Sequence, residues 1–223
     1  MEALYTQLRH HAPEQTILLM RHGERPVLRQ LAQVDGTRLT PRGRREAERL
    51  GATRLADTPP DHIFHSPVLR CRETAESLLD GLQTCAIHPV NHGPVEALFP
   101  PFTPEHIGHF MQGSQALFEH GSEAFVYAWL AGDLDTRHYP DPQQSARRLL
   151  AYLLQQRATH TGRHLHVCHD CNLLLLLQVF MGLPPEESLW PRFLEPLLLS
   201  VELEEITVCY RDQQMRIATP PSL

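Results

Sequence analysis

A short apolar run that ends in a basic tripeptide opens the most informative stretch of the chain, Thr16-Ile-Leu-Leu-Met-Arg-His-Gly-Glu-Arg25. Residues 16–20 predict a buried strand, because a brief continuous apolar run closed by polar residues is typical of the interior of a sheet. Residues 21–23 then fall in the loop that follows the strand. Because ligands of open α/β sheets bind outside the carboxyl ends of the strands, we expect this loop to contribute to a site.

Two later stretches place polar residues at the same kind of junction. Ser66-Pro67 follows a strand candidate at residues 61–65, and this pair predicts the start of a helix that runs to about Leu79 and stops at Gly81. A further strand is predicted at residues 165–169, where His169-Asp170 precedes an apolar helix at residues 172–181. Both junctions are therefore candidate positions for functional side chains.

The remaining elements complete an alternating pattern. Thr40-Pro41 and Asp141-Pro142 each predict a helix start, residues 85–90 predict a strand, and residues 206–217 predict a terminal hairpin. Strands that alternate with helices predict an α/β protein with a largely parallel central sheet. We expect residues 1–223 to form a single domain, in which residues 100–140, bracketed by proline pairs and rich in aromatic residues, form a helical lid insertion.

The charged residues exclude some classes of partner and favour another. The chain has no Lys, 20 Arg, 15 His and a net charge of −6, which argues against a nucleic-acid or membrane-surface partner. Residues 21–72 nevertheless contain 11 Arg and six acidic residues. This positive segment predicts a local anion site, although codon usage explains most of the arginines and some of them belong to a solvated helix face.

Cysteine and histidine spacing gives weaker indications. Five cysteines without a framework spacing, and no apolar leader, predict reduced thiols in the cytoplasm. Cys168 and Cys171 flank His169 and are interpreted either as small buried side chains or as a redox switch. The pairs His62-x-x-His65 and His106-x-x-His109 could hold a metal only with ligands from elsewhere, so buried or surface histidines are the preferred interpretation.

The residue types at the three junctions fit phosphate chemistry. A phosphate monoester is a dianion, and the guanidinium groups of Arg21, Arg25 and Arg70 could bind it. The imidazole of His22 could attack phosphorus, and a protonated His169 could donate to a phosphoryl oxygen. The alternatives are structural: Arg70 as a surface residue paired with a glutamate on its helix, and His169-Asp170 as a helix cap.

Taken together, these motifs resemble the histidine phosphatase superfamily, which includes the phosphoglycerate-mutase-like and acid-phosphatase-like branches. The resemblance spans about residues 16–217 and includes Arg21-His22-Gly23, the helix segment from Leu39 to Ala47, the segment from Ser66 to Ala75, and His169-Asp170-Cys-Asn172. It implies a three-layer α/β/α sandwich, a phosphohistidine intermediate on His22, and no metal or other cofactor.

The resemblance leaves the proton donor open between two carboxylates. In the mutase-like branch the donor is a glutamate beyond the Ser-Pro…Arg helix, and Glu96 matches it. In the acid-phosphatase-like branch the donor is the aspartate after the second histidine, which is Asp170 here. The sequence favours Asp170, because it lies next to a predicted phosphate ligand and at a helix start.

The leading hypothesis is a metal-independent phosphomonoesterase that acts on a small phosphorylated metabolite. A phosphoglycerate-mutase-type phosphotransferase is the second candidate, disfavoured because Pro26-Val-Leu-Arg29 lacks the Ser/Thr and Asn residues that follow Arg-His-Gly in those mutases. A phospholigand-binding regulatory protein with little turnover is the third. No motif indicates the substrate or the oligomeric state.

Overall fold

A seven-stranded mixed sheet forms the centre of the molecule. The computed structural model describes residues 2–28, 36–101, 122–137, 139–184 and 186–219. In chain order, the strands are β1 Thr16–Arg21, β2 His62–His65, β3 Val90–Pro94, β4 His164–Cys168, β5 Pro196–Val201, β6 Glu205–Tyr210 and β7 Gln213–Ala218. Their order across the sheet is β3-β2-β4-β1-β5-β6-β7. The first four are mutually parallel, and β5, β6 and β7 add an antiparallel extension next to β1.

Six α-helices in the described part of the chain cover both faces of this sheet. They are α1 Glu2–Leu8, α2 Pro41–Leu50, α3 Leu69–Thr84, α4 Ser122–Ala131, α5 Pro142–Thr159 and α6 Asp170–Met181. A π-helical turn at Gly51–Leu55 extends α2. None of these helices has the length and apolar character needed to cross a bilayer.

The alternation of side chains along β1 explains the three layers. Successive residues of a strand point to opposite faces, so Ile17 and Leu19 join one core while Leu18 and Met20 join the other. The first core includes side chains of α4, α5 and α6, and the second includes side chains of α1, α2 and α3. This arrangement confirms the predicted α/β/α sandwich and its mostly parallel central strands.

Two of the three helix starts predicted from a capping residue followed by proline are present in the structure. The Thr40 hydroxyl accepts from the Gly43 amide at 2.9 Å, and the Asp141 carboxylate accepts from the Gln144 amide at 2.7 Å, so both predicted caps are present. Helix α3, by contrast, begins at Leu69 and not at Ser66-Pro67. The Ser66 hydroxyl accepts from the amide of Val68, the residue before the helix, at 3.4 Å, and it also lies next to a histidine described below.

Several predicted boundaries were wrong. Helix α3 continues through Gly81 to Thr84. Gly81 does not end the helix; the absence of a side chain there allows α2 and α3 to approach closely. A Cβ at Gly81 would lie 2.0 Å from the Glu48 carbonyl oxygen. The strand expected at residues 85–90 is a turn, and β3 starts only at Val90. Helix α6 begins at Asp170 with His169 as its N-cap, two residues earlier than predicted.

The segment predicted as a lid is described only in part. Residues 102–121 and 138 lie outside the described residues. Within the segment, α4 places Phe125 and Trp129 in the core on the α5–α6 side of the sheet, where each side chain is 1% exposed. The Trp129 indole donates to the Pro140 carbonyl at 2.8 Å. Helix α4 is thus part of the packed domain.

Candidate active site

The carboxyl ends of three neighbouring parallel strands bring the predicted junctions together. Strands β2, β4 and β1 are adjacent in the sheet, and they end immediately before Ser66, His169 and His22. The imidazole rings of His22 and His169 lie 5.6 Å apart, centroid to centroid, in an edge-to-face arrangement. Both side chains are almost fully buried. The site therefore lies where the sheet topology predicts a ligand.

Arg70 joins the two histidines. Its Nε donates to His22 Nε2 and its Nη2 donates to His169 Nδ1, both at 3.0 Å, and the residue is 3% exposed. The glutamates that were alternative partners for Arg70 pair with other residues of the same region: Glu73 with Arg38 and Arg44, and Glu76 with Arg72. Arg70 therefore points into the site. It stands in the first turn of α3, where a positive charge is unfavourable unless an anion lies nearby.

These contacts assign the tautomer of His22. Because a guanidinium group can only donate, Nε2 must accept from Arg70 and carries a lone pair. The other ring nitrogen, Nδ1, lies 2.8 Å from the Gly23 carbonyl oxygen, so Nδ1 carries the proton. Burial lowers the pKa of His22 well below its ordinary value, and the positive charge of Arg70 lowers it further. His22 is thus a neutral imidazole whose Nε2 lone pair accepts from Arg70 and could act as a nucleophile once that hydrogen bond moves to another acceptor.

His169 has the opposite tautomer for the same reason. Its Nδ1 accepts from Arg70, so the proton of the neutral ring is on Nε2, which donates to the Ser66 hydroxyl at 3.0 Å. Burial lowers the pKa of His169 well below its ordinary value, with Arg70 as the next cause. The sequence analysis used Ser66 as a helix start and as part of the Ser66–Ala75 segment, and neither indicated this contact with His169.

Arg21 is held in place from several sides. Its Nη2 forms an ion pair with Asp170 Oδ2 at 2.7 Å, with both side chains largely buried, and its Nη1 donates to the Pro191 carbonyl. Its guanidinium carbon lies 4.2 Å from the centroid of the Phe193 ring, a cation–π contact. The other carboxylate oxygen of Asp170 accepts from the Cys171 amide at 3.0 Å. No motif in the sequence indicated that Phe193 would lie here.

Two guanidinium nitrogens in this region are buried without a partner in the described structure. They are Nε of Arg21 and Nε of Arg25. Burial lowers the pKa of Arg25 to about 10, while the carboxylate of Asp170 acts in the opposite direction and the charge of Arg70 adds to the lowering. A buried donor without an acceptor is costly, by about 1–3 kcal/mol. An anion that accepts from these groups would remove that cost.

The loop that carries His22 is fixed by the start of α2. The Thr40 amide donates to the Glu24 carbonyl at 2.9 Å, and the Thr40 hydroxyl donates to the Glu24 carboxylate at 2.6 Å. A Cβ at Gly43 would lie 2.3 Å from the Glu24 carbonyl oxygen, so only glycine permits this approach. On the other side, the Gly23 amide donates to the Thr74 hydroxyl of α3 at 2.9 Å. The loop is therefore held rigidly between two helices.

Glu96 lies at a more exposed position than Asp170. It opens a short 3-10 helix after β3, and its carboxylate forms no hydrogen bond or ion pair with another described residue. It lines a cavity of about 300 Å³ together with Phe99, Arg148 and Asn172 among others. Asn172 connects this cavity to the site, since its side-chain oxygen accepts from the His169 amide at 3.3 Å.

The other sequence-predicted residues lie apart from this cluster or in packed surroundings. Cys168 and Cys171 are free and buried, and burial raises the pKa of both thiols, which fits packing side chains better than a redox pair. His62 and His65 are three residues apart in β2, so their side chains point to opposite faces of the strand. His65 Nδ1 donates to the Ser66 carbonyl at 2.8 Å. The pair His106 and His109 lies outside the described residues.

The arrangement defines a class of protein: an α/β sandwich with two histidines and three arginines gathered at the carboxyl edge of its parallel strands. Residues 17–93 match the model of the histidine phosphatase superfamily, branch 1. The matched residues include the Arg21–Gly23 and Ser66–Ala75 motifs, and the match agrees with the resemblance that these motifs predicted. No protein with curated annotation matches the sequence.

Several solved structures share the fold of this chain. YhfR of Bacillus stearothermophilus is 22% identical with a TM-score of 0.56, and the match covers 84% of this chain and 91% of that one. A mycobacterial glucosyl-3-phosphoglycerate phosphatase is 18% identical with a TM-score of 0.57, covering 83% and 89%. Phosphoglycerate mutase of Bacillus anthracis is 17% identical with a TM-score of 0.55, covering 92% of both chains. Proteins that share this fold thus include a phosphatase and a phosphoglycerate mutase.

Proposed function

We propose that the protein is a metal-independent phosphomonoesterase that hydrolyses a small phosphorylated metabolite through a phosphohistidine on His22. The observation that carries the proposal is the tautomer of His22, whose Nε2 lone pair faces the guanidinium of Arg70. An imidazole held neutral beside fixed positive charge combines a nucleophile with the groups that stabilise a phosphoryl dianion. The buried, unpartnered Nε groups of Arg21 and Arg25 provide further donors for the same anion.

In the first step, His22 Nε2 attacks phosphorus and the bond from phosphorus to the leaving oxygen breaks. The hydrogen bond from Arg70 Nε must move from His22 to a phosphoryl oxygen, which frees the lone pair when substrate binds. In the second step, water attacks the phosphohistidine, the nitrogen–phosphorus bond breaks, and a proton of the water returns to the carboxylate that protonated the leaving oxygen. This step releases inorganic phosphate and restores the neutral ring. A bound dianion next to His169 favours the protonated form of that ring, which can then donate to the phosphoryl group.

The leaving oxygen must receive a proton, and the two candidate acids differ in their contacts. Both oxygens of Asp170 accept from donors, one from Arg21 and the other from an amide. This arrangement stabilises a carboxylate and suits a group that positions Arg21. Glu96 has no such partner and lines the cavity next to Asn172. We therefore propose Glu96 as the acid and a positioning role for Asp170, the reverse of the ranking that the sequence favoured.

Turnover of an aryl phosphate in the presence of EDTA tests the reaction. We expect wild-type turnover to survive the chelator and His22→Ala to abolish it, while His88→Ala, an exposed histidine outside the site, retains it. Rapid quenching without acid should trap a phosphohistidine in wild type only. Phosphate binding without turnover or trapped intermediate would favour a regulatory phospholigand-binding protein, and strict metal dependence would overturn the proposal.

The identity of the acid is tested by comparing leaving groups. Aryl phosphates leave as weakly basic phenolates and need little proton transfer, whereas alkyl phosphates need much. We expect Glu96→Gln to lower kcat about 10²–10⁴-fold with an alkyl phosphate and far less with an aryl phosphate. Asp170→Asn should reduce turnover of both substrates by a similar factor. A leaving-group-dependent loss in Asp170→Asn alone would return the acid role to Asp170.

The fold neighbours support phosphoryl transfer and leave hydrolase and mutase as candidates. A screen over sugar phosphates, nucleotides and phosphoglycerates should identify the substrate class. Phosphate transfer to an acceptor that outpaces phosphate release would favour the mutase. The free thiols of all five cysteines support a proposed location in the cytoplasm.

A further inference from the structure

Three histidines from distant parts of the sequence meet at the other end of the parallel strands. His62 begins β2, His92 lies in β3, and His160 follows α5 just before β4. One ring nitrogen from each lies within 4.8 Å of the others, and the closest pair, His62 Nδ1 and His92 Nε2, is 3.0 Å apart. The cluster is separate from the proposed active site, which lies at the carboxyl ends of the same strands.

The tautomer of His62 is suited to coordination. Its Nε2 lies 3.0 Å from the Thr161 carbonyl oxygen and must donate to it, so the proton is on Nε2 and the lone pair is on Nδ1. Donation of the second ring N–H to a backbone carbonyl is the usual support for a metal-bound histidine, since it fixes the ring and its tautomer. The lone pair of His62 Nδ1 therefore faces His92 Nε2, 3.0 Å away, inside the cluster and not on its outer side.

Neighbouring side chains hold the other two residues. Phe64 stacks on His92 with ring centroids 4.3 Å apart and an angle of 5° between the planes. The buried His164 donates through Nε2 to the His160 carbonyl at 2.9 Å, which fixes the backbone of the third residue. The cluster is thus supported by packing and by a second layer of hydrogen bonds.

We propose that His62, His92 and His160 bind a divalent transition-metal ion of the zinc or nickel class. Metal–nitrogen bonds of 2.0–2.1 Å in a tetrahedron place the nitrogens about 3.4 Å apart, so a rearrangement of about 1 Å brings the set into range. Imidazole nitrogen suits zinc, nickel and copper, whereas magnesium and calcium require oxygen ligands. Water completes the coordination.

The ion would join β2, β3 and the connection between α5 and β4. Since β3 is the edge strand of the sheet, the ion secures an edge that is otherwise held by a single neighbour. A ligand that binds only the folded state stabilises it. We therefore assign the site a structural role, independent of the proposed hydrolysis at His22.

The test uses the full chain without a histidine tag, stripped of metal with EDTA. Equilibrium dialysis should show one Zn²⁺ or Ni²⁺ per chain, and Co²⁺ should give the visible absorption of a tetrahedral site. At an ion concentration about a hundred times Kd, the midpoint of thermal unfolding should rise by about 5–10 °C, whereas Mg²⁺ should have no effect. No binding, or equal binding of Mg²⁺, overturns the proposal.

Variants distinguish this site from other histidines. We expect His92→Gln and His160→Gln each to weaken Zn²⁺ binding more than about 100-fold. Loss of a group that only supports a metal ligand typically costs about 10–100-fold in affinity, so a larger loss indicates that the ligand itself was removed. His88→Gln, an exposed histidine outside the cluster, should bind as wild type does. Unchanged affinity in the double variant His92→Gln/His160→Gln overturns the proposal, and circular dichroism verifies that the variants fold.

The proposed hydrolysis and the proposed metal site can be refuted independently of each other. His22→Ala should retain metal binding although it loses turnover, and the double variant should retain phosphatase turnover at temperatures well below its unfolding midpoint. Loss of turnover in EDTA would contradict the proposed hydrolysis, not the metal site. Loss of turnover only in the double variant, with its fold intact, would overturn the purely structural role assigned to the ion.

Discussion

Replacing Arg70 by lysine separates geometry from charge at the site. Arg70 donates in two directions, from Nε to His22 and from Nη2 to His169, in a nearly fully buried position. Lysine keeps the charge, but its single ammonium nitrogen cannot take both positions of the planar fork. If charge alone matters, Arg70→Lys should retain activity. If the fork matters, it should not.

The expected loss follows from the bonds that lysine cannot replace. A hydrogen bond to a charged group contributes about 1.5–3 kcal/mol, and removing one donor to a developing anion costs about 10²–10³ in kcat. We expect Arg70→Lys to lower kcat/KM by about 10²–10³. The same substitution leaves one buried histidine nitrogen without a donor, so stability should fall by about 1–3 kcal/mol.

The assay compares Arg70→Lys with Arg72→Lys on an aryl phosphate, at a temperature well below both unfolding midpoints. Arg72 is two residues further along the same helix, half-exposed and paired with Glu76, so its conservative replacement should leave kcat/KM within about twofold of wild type. An Arg70→Lys enzyme within about threefold of wild type would refute the requirement for the fork. A loss equal in the two variants would refute the placement of Arg70 in the site.

Two further predictions concern stability. Gly81→Ala should lower the unfolding free energy by about 1–3 kcal/mol or more, because the added methyl overlaps the Glu48 carbonyl. A denaturant titration measures this loss, and Gly36→Ala, which has open space around it, is the matched control. Burial lowers the pKa of His166 far below its ordinary value, so the unfolded chain binds a proton below about pH 6.5 that the native state does not, and stability falls as the pH is lowered. His166→Phe should therefore reduce the slope of unfolding free energy against pH by about 1.4 kcal/mol per pH unit below about pH 5.5, and an unchanged slope would contradict a neutral buried His166.

The sequence predicts which residues gather at the candidate site better than it predicts element boundaries. His22, His169 and Arg70 are recognisable because each stands where a strand ends or a helix begins, and the sheet topology brings such positions together. Strand β5 was not predicted, because Pro196–Val201 is an almost continuous apolar run, and such a run is compatible with either a buried helix or a buried strand. Gly81 was misread as a helix stop, because a close approach between two helices leaves no local signal.

Contacts over long sequence distances were beyond prediction. His62 was paired on spacing with His65, yet its partners are His92 and His160, which the order of strands places beside it. The role of Ser66 changed from helix cap to partner of His169 for the same reason. Spacing reveals neighbours within one element, while neighbours across the sheet depend on topology.

Ion pairs account for part of the positive charge of the arginine-rich segment. Arg38 and Arg44 both pair with the buried Glu73, so these two arginines of residues 21–72 have a structural role.

Asp170 and Arg21 form an ion pair in which both side chains are largely buried, and the second carboxylate oxygen of Asp170 accepts from the Cys171 amide. A proton on either oxygen would displace one of these donors, and breaking a buried ion pair is costly. These contacts support the proposal that Asp170 holds Arg21 and that the proton comes from the exposed Glu96.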